Sequence, residues 1–337
     1  MDSASIERDL TEHGLAFLVR SVTSMRGSDD RGPLFAIVDL AVAIEVLLKA
    51  RLVREHWSLI CAQPDKTSVA QFEAGLAKTV SPEQSVIRLD GIAGLTLKTL
   101  GHDKRIEKIG QLRNRVVHFT VPTDDASIGV ATVYGHALNF ALWFLDNEFR
   151  GKANGDIEEL VEEVIEQLTS ELRYIQELVS DRMGTIDETL DGADVCVDCP
   201  RCEQPALMLF EQSQSVYCGY CLWNPQDGSS AAQEYEEGVL GGSYNESAGP
   251  GGPVWDCPRC SSPALVEGVK QRRPSLESLF DGGCDTQPLA YWACFDCGWT
   301  GAVHDLDHCD MCNVVTDTGD EGMSICEECF ASRLSKD

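Results

Sequence analysis

Twelve of the fifteen cysteines in this 337-residue chain occur as six Cys-x-x-Cys pairs, and consecutive pairs combine into three sets of four. Two cysteines on one tight turn place both sulfurs on the same side, and a second such turn completes a tetrahedron of thiolates, which suits Zn²⁺. We therefore expect about three structural Zn²⁺ ions per chain. The predicted ligands are Cys199, Cys202, Cys218 and Cys221; Cys257, Cys260, Cys294 and Cys297; and Cys309, Cys312, Cys326 and Cys329.

The first two sets form an internal repeat, because Cys-Pro-Arg-Cys is followed by Pro-Ala-Leu in both 199–207 and 257–265. Both resemble zinc ribbons, which are appended to many nucleic-acid enzymes and regulators. The third set has no proline or glycine inside its pairs. Its last pair encloses Glu327 and Glu328, and Arg333 and Lys336 follow it, which is the charge order that a helix dipole favours. The pattern therefore predicts a treble-clef-like third module that ends in a helix.

The cysteine pattern leaves some alternatives open. Rubredoxin-type iron uses the same four sulfurs, whereas thioredoxin-type redox chemistry is disfavoured because no βαβ pattern surrounds any pair. Cys196 offers another register with Cys199, although the internal repeat favours Cys199 with Cys202. His304 and His308 lie just before the third set, where they are either surface residues or substitutes for a cysteine. The cysteines without an assigned role are Cys61, Cys196 and Cys284.

A second group of chemically capable residues, Arg113, Asn114 and His118, lies on one predicted helix. Histidine exchanges protons near neutral pH, and a guanidinium grips phosphate oxygens in bidentate fashion. Together they match the needs of RNA cleavage by the 2′-hydroxyl. At 3.6 residues per turn, Asn114 and His118 share a face, but Arg113 lies roughly 140° round from His118. The structural alternative is that Arg113 and Arg115 pair with carboxylates of a neighbouring helix and that His118 is a core histidine.

This motif, with a second helix whose apolar centre (40–48) holds the single carboxylate Glu45, resembles the HEPN superfamily of small helical bundles. Many HEPN proteins are metal-independent endoribonucleases, often toxins or anti-phage defence proteins, and their motif is Arg, a polar residue, a few more residues and His. The resemblance covers about 1–150. It implies that Arg113, Asn114 and His118 are catalytic, that RNA is the substrate, and that a homodimer completes the site. The alternative is a non-catalytic HEPN-like binding protein.

The apolar pattern predicts a mainly α fold, an up-and-down helical bundle followed by small four-cysteine modules. Helices are expected from about Ile6 to Gly27, from Pro33 to about Ile60, over 103–119 and 127–149, and as one long acidic helix over 157–179. The predicted domains are 1–150 (HEPN-like bundle), 151–192 (acidic helix), 193–227 (zinc ribbon), 228–253 (flexible linker), 254–303 (second ribbon) and 304–337 (third zinc module).

The net charge of −28 is unevenly distributed along the chain. Residues 1–150 carry 17 Lys and Arg against 19 Asp and Glu, whereas the remainder carries 10 against 36. An acidic field repels phosphates, so RNA contact is expected at the helical domain and a protein partner at the zinc modules. No export signal and no membrane-spanning stretch is apparent, and the abundant thiols favour a reducing compartment. We therefore expect a cytoplasmic protein.

Overall fold

The computed structural model describes residues 2–119, 127–211, 213–241, 254–272, 290–318 and 324–334. The chain divides into two compact units, Met1–Arg182 and Met183–Asp337. The first unit is helical and the second contains small strand-rich regions around the cysteine sets, as the mainly α prediction anticipated in part. The helices of the first unit are α1 (Ser3–Arg26), α2 (Gly32–Glu55), α3 (Val69–Glu73), α4 (Pro82–Ile92), α5 (His102–His118), α6 (Ser127–Glu148) and α7 (Gly155–Leu172), with α8 (Gln176–Thr185) crossing the boundary.

Helix α2 forms the centre of the helical unit, where it packs against α1, α4, α5 and α6. Its apolar residues are buried along most of its length, as expected for a helix that is apolar on nearly every side. Helix α1 comes very close at Gly14, where a Cβ would lie 2.8 Å from Cγ of Leu47. The helix ends at His56, whose extended backbone separates it from a short 3-10 turn over Trp57–Ile60, so the predicted end at Ile60 was one turn too long.

Two capping boxes define the segment 68–100, which the apolar pattern leaves ambiguous. Ser68 caps α3 and Ser81 caps α4, and in each case the glutamine three residues later bonds back to the cap. Pro82 occupies the first turn of α4, where its missing N–H costs nothing. Ser-x-x-Gln is a local signal for a helix start, so both helix starts could be predicted from the capping residues, although the apolar pattern did not indicate them.

The acidic segment belongs to the helical bundle rather than forming a domain of its own. Helix α7 buries Val161, Ile165 and Leu168 and packs against α1, while its glutamates lie mostly on the other side. The chain then breaks before α8, so the predicted single helix over 157–179 was wrong. Because α7 covers an apolar face of the bundle, the predicted domain boundary at residue 150 moves to Arg182.

Helix α8 approaches α6 closely at Gly135, where a Cβ would lie 2.7 Å from the carbonyl carbon of Glu177. This approach carries Asp181 to an ion pair with Arg105, to Nδ2 of Asn139 at 2.6 Å and to Nε2 of His136 at 3.3 Å. Burial alone would raise the pKa of Asp181, but the hydrogen bonds from Arg105 and Asn139 outweigh it and lower that pKa. His136 thus gains a partner that its sequence context did not indicate.

Gly135→Ala is expected to destabilise the helical unit by about 1–3 kcal/mol, because its methyl group would overlap the backbone of α8. Gly129→Ala provides a matched control on the same helix, since its Cβ would meet nothing within 4 Å. That substitution should stabilise the unit by up to about 1 kcal/mol through helix propensity. Urea unfolding followed by far-UV circular dichroism measures both. Equal shifts in the two variants would contradict the close contact of α6 and α8.

The second unit is built from short antiparallel strands around the cysteine sets. We call these regions the first, second and third modules, after the sets of Cys199, Cys257 and Cys309. The first module contains β1 (Val195–Val197), β2 (Leu207–Phe210) and β3 (Ser215–Cys218); the second β4 (Val254–Asp256), β5 (Pro263–Lys270), β6 (Ala290–Cys294) and β7 (Thr300–Ala302); the third β8 (Leu306–His308) and β9 (Val315–Asp317). The helices are α9 (Asp187–Asp191), α10 (Gly228–Tyr235) and α11 (Glu327–Leu334).

The segment predicted as a flexible linker, 228–253, is helical in its first part. Asp227 caps α10 by accepting a hydrogen bond from the backbone N–H of Ser230 at 2.7 Å, and one π-helical turn follows over Glu236–Leu240. The ring of Tyr235 lies 4.9 Å from that of Phe295 in the second module. The glycine and serine content did not indicate this helix, whose buried residues include Ala231, Ala232 and Tyr235, so the linker prediction was wrong for 228–240. Residues 242–253 lie outside the described residues.

Candidate functional site

Five of the six Cys-x-x-Cys turns share one backbone geometry. The N–H of Cys199 donates to the carbonyl of Gln204 at 2.9 Å, and the N–H of Glu203 donates back to the carbonyl of Cys199 at 2.8 Å. The same two bonds recur in the turns that begin at Cys218, Cys257, Cys294 and Cys309. Each turn closes on a residue with positive φ, namely Glu203, Leu222, Ser261, Gly298 and Asn313.

Positive φ was expected at Gly298, but four of these five positions hold residues with a side chain. Such a residue in the left-handed region costs free energy unless its surroundings fix it there. Here a hydrogen bond on either side of the turn holds the backbone. The sixth turn differs, because Cys326 immediately precedes α11 and its carbonyl accepts a helical hydrogen bond from the N–H of Phe330 at 2.9 Å.

The four sulfurs of each set lie within 4.8 Å of one another. In the first module the Cys199–Cys221 sulfurs are 3.9 Å apart and the Cys202–Cys218 sulfurs 3.7 Å apart. A disulfide would require about 2.05 Å. A tetrahedron with metal–sulfur bonds of about 2.3 Å has sulfur–sulfur edges of roughly 3.8 Å. The geometry therefore fits a four-thiolate metal centre, and the three sets are compatible with three structural metal ions.

Burial of the first set also favours a cation at its centre. All four cysteines are buried, and desolvation together with the neighbouring sulfurs raises the pKa of Cys221 well above its usual value. A buried thiol of this kind ionises readily only when a positive charge is adjacent. The donor set thus suits a cation that binds thiolates.

The structure distinguishes the alternatives at the edges of the sets. Cys196 lies outside the first set, and its sulfur donates to the carbonyl of Pro205 at 3.2 Å. His304 is exposed, and His308 packs its ring 4.5 Å from that of Trp255, so neither belongs to the third set. Cys61 is buried beside Thr79. Cys284 lies outside the described residues.

The internal repeat extends further than the proline-arginine motif. Arg201 lies over the ring of Trp223 at 5.4 Å, and Arg259 lies over the ring of Trp299 at 5.5 Å. Both tryptophans follow the last cysteine of their set by two residues, so each module reads Cys-Pro-Arg-Cys followed by Cys-x-x-Cys-x-Trp. This longer spacing was visible in the sequence and was overlooked.

The first and second modules pack against each other. The N–H of Arg272 donates to the carbonyl of Cys196 at 2.9 Å, and its Nε donates to Asp198 at 2.8 Å. Gly298 faces the backbone at Phe210, where a Cβ would lie 2.6 Å from the carbonyl carbon. These contacts, with the packing of α10, join the first and second cysteine sets within the second unit.

The predicted catalytic residues lie on the last turns of α5. Nη1 of Arg113 donates to Oδ1 of Asn114 at 3.1 Å, while Asn114 and His118 are exposed. Within the described residues, no hydrogen bond links Arg113 to His118. The structure therefore keeps the two groups apart in one chain, as the helical spacing indicated.

Two purely structural roles were possible for these residues: ion pairs for the arginines and a core position for His118. Neither role is seen in the described part of the chain. His118 is exposed rather than buried in the core, and neither Arg113 nor Arg115 has an acidic partner among the described residues. Several other arginines in the helical unit pair with carboxylates. They include Arg20 with Asp39, Arg26 with Glu171, Arg51 with Glu148, Arg54 with Glu7, Arg105 with Asp181 and Arg150 with Glu162. Glu45, on α2, is paired with Lys49.

The C-terminal end of α5 combines a positive helix charge with exposed apolar side chains. The helix carries five Lys or Arg against two Asp or Glu, a net charge of +3 in a chain of net charge −28. The apolar side chains of Val117 and Phe119 are 53% and 72% exposed. A basic helix end flanked by exposed apolar groups can attract phosphate and contact another protein surface.

No helix in the described residues is long and apolar enough to cross a membrane. The chain matches no known family model, no curated protein and no solved structure.

Proposed function

We propose that the helical unit is a metal-independent endoribonuclease of the HEPN type, in which Arg113, Asn114 and His118 act on RNA. The observation that carries this proposal is that Arg113 and His118, on the last turns of the basic helix α5, have no carboxylate partner among the described residues. Several other guanidinium groups of this unit are held by carboxylates, whereas Arg113 has no carboxylate partner among the described residues. A cation left available at a surface is suited to a phosphate.

In the proposed reaction, the 2′-hydroxyl of RNA attacks the adjacent phosphorus and the 5′-oxygen leaves. His118 transfers the proton, and Arg113 stabilises the negative charge that develops on the phosphate oxygens. Asn114 holds the Arg113 guanidinium through the 3.1 Å hydrogen bond and thereby fixes its orientation. The products are a 2′,3′-cyclic phosphate and a 5′-hydroxyl.

We propose that a homodimer brings together an arginine and a histidine that one chain holds apart. Because Arg113 and His118 point about 140° apart on one helix, a complete site needs Arg113 of one copy beside His118 of another. The exposed Val117 and Phe119 lie at the same helix end and provide apolar surface for such a contact.

Phe119→Asp is expected to convert the dimer to a monomer and to lose RNA cleavage, because a charge would replace apolar surface at the contact. Phe35→Asp is the matched control, since Phe35 is also exposed but lies on α2. Light scattering of the full chain at micromolar concentration measures the mass. A strictly monomeric wild-type protein that still cleaves RNA would contradict the composite site.

The direct test of activity uses single-stranded RNA and the 1–182 unit in excess EDTA, which removes metal without involving the cysteine modules. Cleavage with 2′,3′-cyclic phosphate ends is the expected result. If RNA is bound but never cut, the alternative of a non-catalytic HEPN-like binding protein replaces this proposal.

We further propose that the three four-cysteine sets hold structural Zn²⁺, in two zinc ribbons and one treble-clef-like module. Zn²⁺ is redox-inactive and prefers tetrahedral coordination, which matches the spacing of the four sulfurs. Reduced thiolates persist in the cytoplasm, which is the proposed location. The acidic second unit is suited to a protein partner rather than to RNA.

Metal analysis of the purified full-length protein should give close to three zinc ions per chain, one for each set. Iron with visible absorption would overturn the zinc assignment. A content of two or fewer would remove the third module from the zinc-binding sites.

A further inference from the structure

The three cysteine sets have the same ligands but very different exposure. All four cysteines of the first set are buried, as are three of the second. In the third set only Cys309 is buried, Cys312 is exposed, and Cys326 and Cys329 are partly exposed. Reagents in solution therefore reach the sulfurs of the third set first.

The third module also has little apolar packing to support it. Its helix α11 spans eight residues and has no buried residue, and the side chains of Phe330 and Leu334 are 55% and 64% exposed. A helix this short is not stable alone. The ligands Cys326 and Cys329 lie at the start of α11, so a bound metal provides most of its stability.

We propose that the third set is an oxidation-sensitive zinc switch, in which a small hydroperoxide links Cys312 to Cys326 and releases Zn²⁺. Their sulfurs are 3.6 Å apart, and Cys312 is the exposed ligand of the set. This inference rests on the proposed zinc occupancy but not on the proposed ribonuclease activity.

The reaction balances as follows. The Cys312 thiolate attacks one oxygen of the hydroperoxide, the O–O bond breaks, and a sulfenic acid and one water or alcohol form after protonation. The Cys326 thiolate then attacks the sulfenic sulfur, the S–S bond forms, and hydroxide leaves as a second water. The peroxide accepts two electrons. The disulfide removes two of the four thiolates that would hold Zn²⁺, so the set would no longer retain the ion and α11 would unfold.

Charge at the module selects the class of oxidant. Asp310, Glu327 and Glu328 are exposed next to the ligands in the sequence. Their field repels anionic oxidants such as glutathione disulfide but does not affect neutral hydrogen peroxide. Peroxide should therefore release zinc faster than glutathione disulfide does.

The test treats the zinc-loaded full-length protein with limiting hydrogen peroxide and follows zinc release with a chromogenic chelator. The expected result is a first phase that releases one of the three zinc ions, with a Cys312–Cys326 disulfide identified by peptide mass spectrometry. Reductant and added zinc should restore the starting state. Cys312→Ser should abolish this phase, whereas Cys196→Ser, which removes a buried cysteine outside the three sets, should retain it.

Specific outcomes would overturn the switch. If the three zinc ions leave together, or if the first disulfide forms within the first or second set, the third set is not the sensitive site. A wild-type protein that holds zinc only in the first two sets before treatment would overturn the proposed occupancy, and the switch with it. Peptide mapping of the wild-type chain decides this even if a variant fails to fold.

Discussion

His118→Ala is expected to lower the rate of RNA cleavage by about 10²–10⁴-fold, because it removes the group that transfers the proton. Arg113→Ala should cost a comparable factor, since one donor to developing charge is commonly worth about 10²–10³-fold. Asn114→Ala should have a smaller effect if this side chain only orients Arg113 through its hydrogen bond. Rates are measured on a labelled single-stranded RNA under single-turnover conditions.

Two matched controls separate the catalytic roles from loss of charge. Arg115→Ala removes an exposed arginine from the same helix end, and His13→Ala removes an exposed histidine from α1. Both should retain most of the activity. Far-UV circular dichroism and zinc content should be unchanged in every variant. If Arg115→Ala reduced cleavage as much as Arg113→Ala, general phosphate attraction rather than a specific site would explain the loss.

Cys218→Ser is expected to remove one zinc ion and to unfold the first module, because the module loses the free energy of metal binding that stabilises its fold. Structural zinc contributes on the order of 10–16 kcal/mol in zinc-finger peptides. Because Arg272 and α10 join the first module to the second, the second should also lose stability. The helical unit should keep its own transition, since it has a separate apolar core.

Cys196→Ser is the control for this experiment, because Cys196 is buried beside the first set without belonging to it. It should retain three zinc ions and lose only modest stability. Zinc content and limited proteolysis measure both variants. A loss of zinc from Cys196→Ser together with full zinc in Cys218→Ser would place the metal in the other register.

Several features were determined by local sequence alone. The cysteine turns follow from hydrogen bonds within six residues, so Cys-x-x-Cys spacing was sufficient to group all three sets. Helices α1, α5 and α6 were predicted to within a few residues, because their apolar periodicity and terminal residues lie within each segment. The helix after Cys326 was likewise predicted from the charges in its own turns.

Only the tertiary structure decided the features that depend on distant partners. The bundle boundary lies at Arg182 because α7 covers α1, and 228–240 is helical with Tyr235 packed against Phe295. Whether Arg113 is neutralised also depends on which carboxylates the fold brings near it. The exposure of Cys312 likewise depends on the fold, because all three sets consist of four cysteines and differ only in how far they are buried. Burial and charge pairing are set by residues far apart in the chain, which local patterns do not encode.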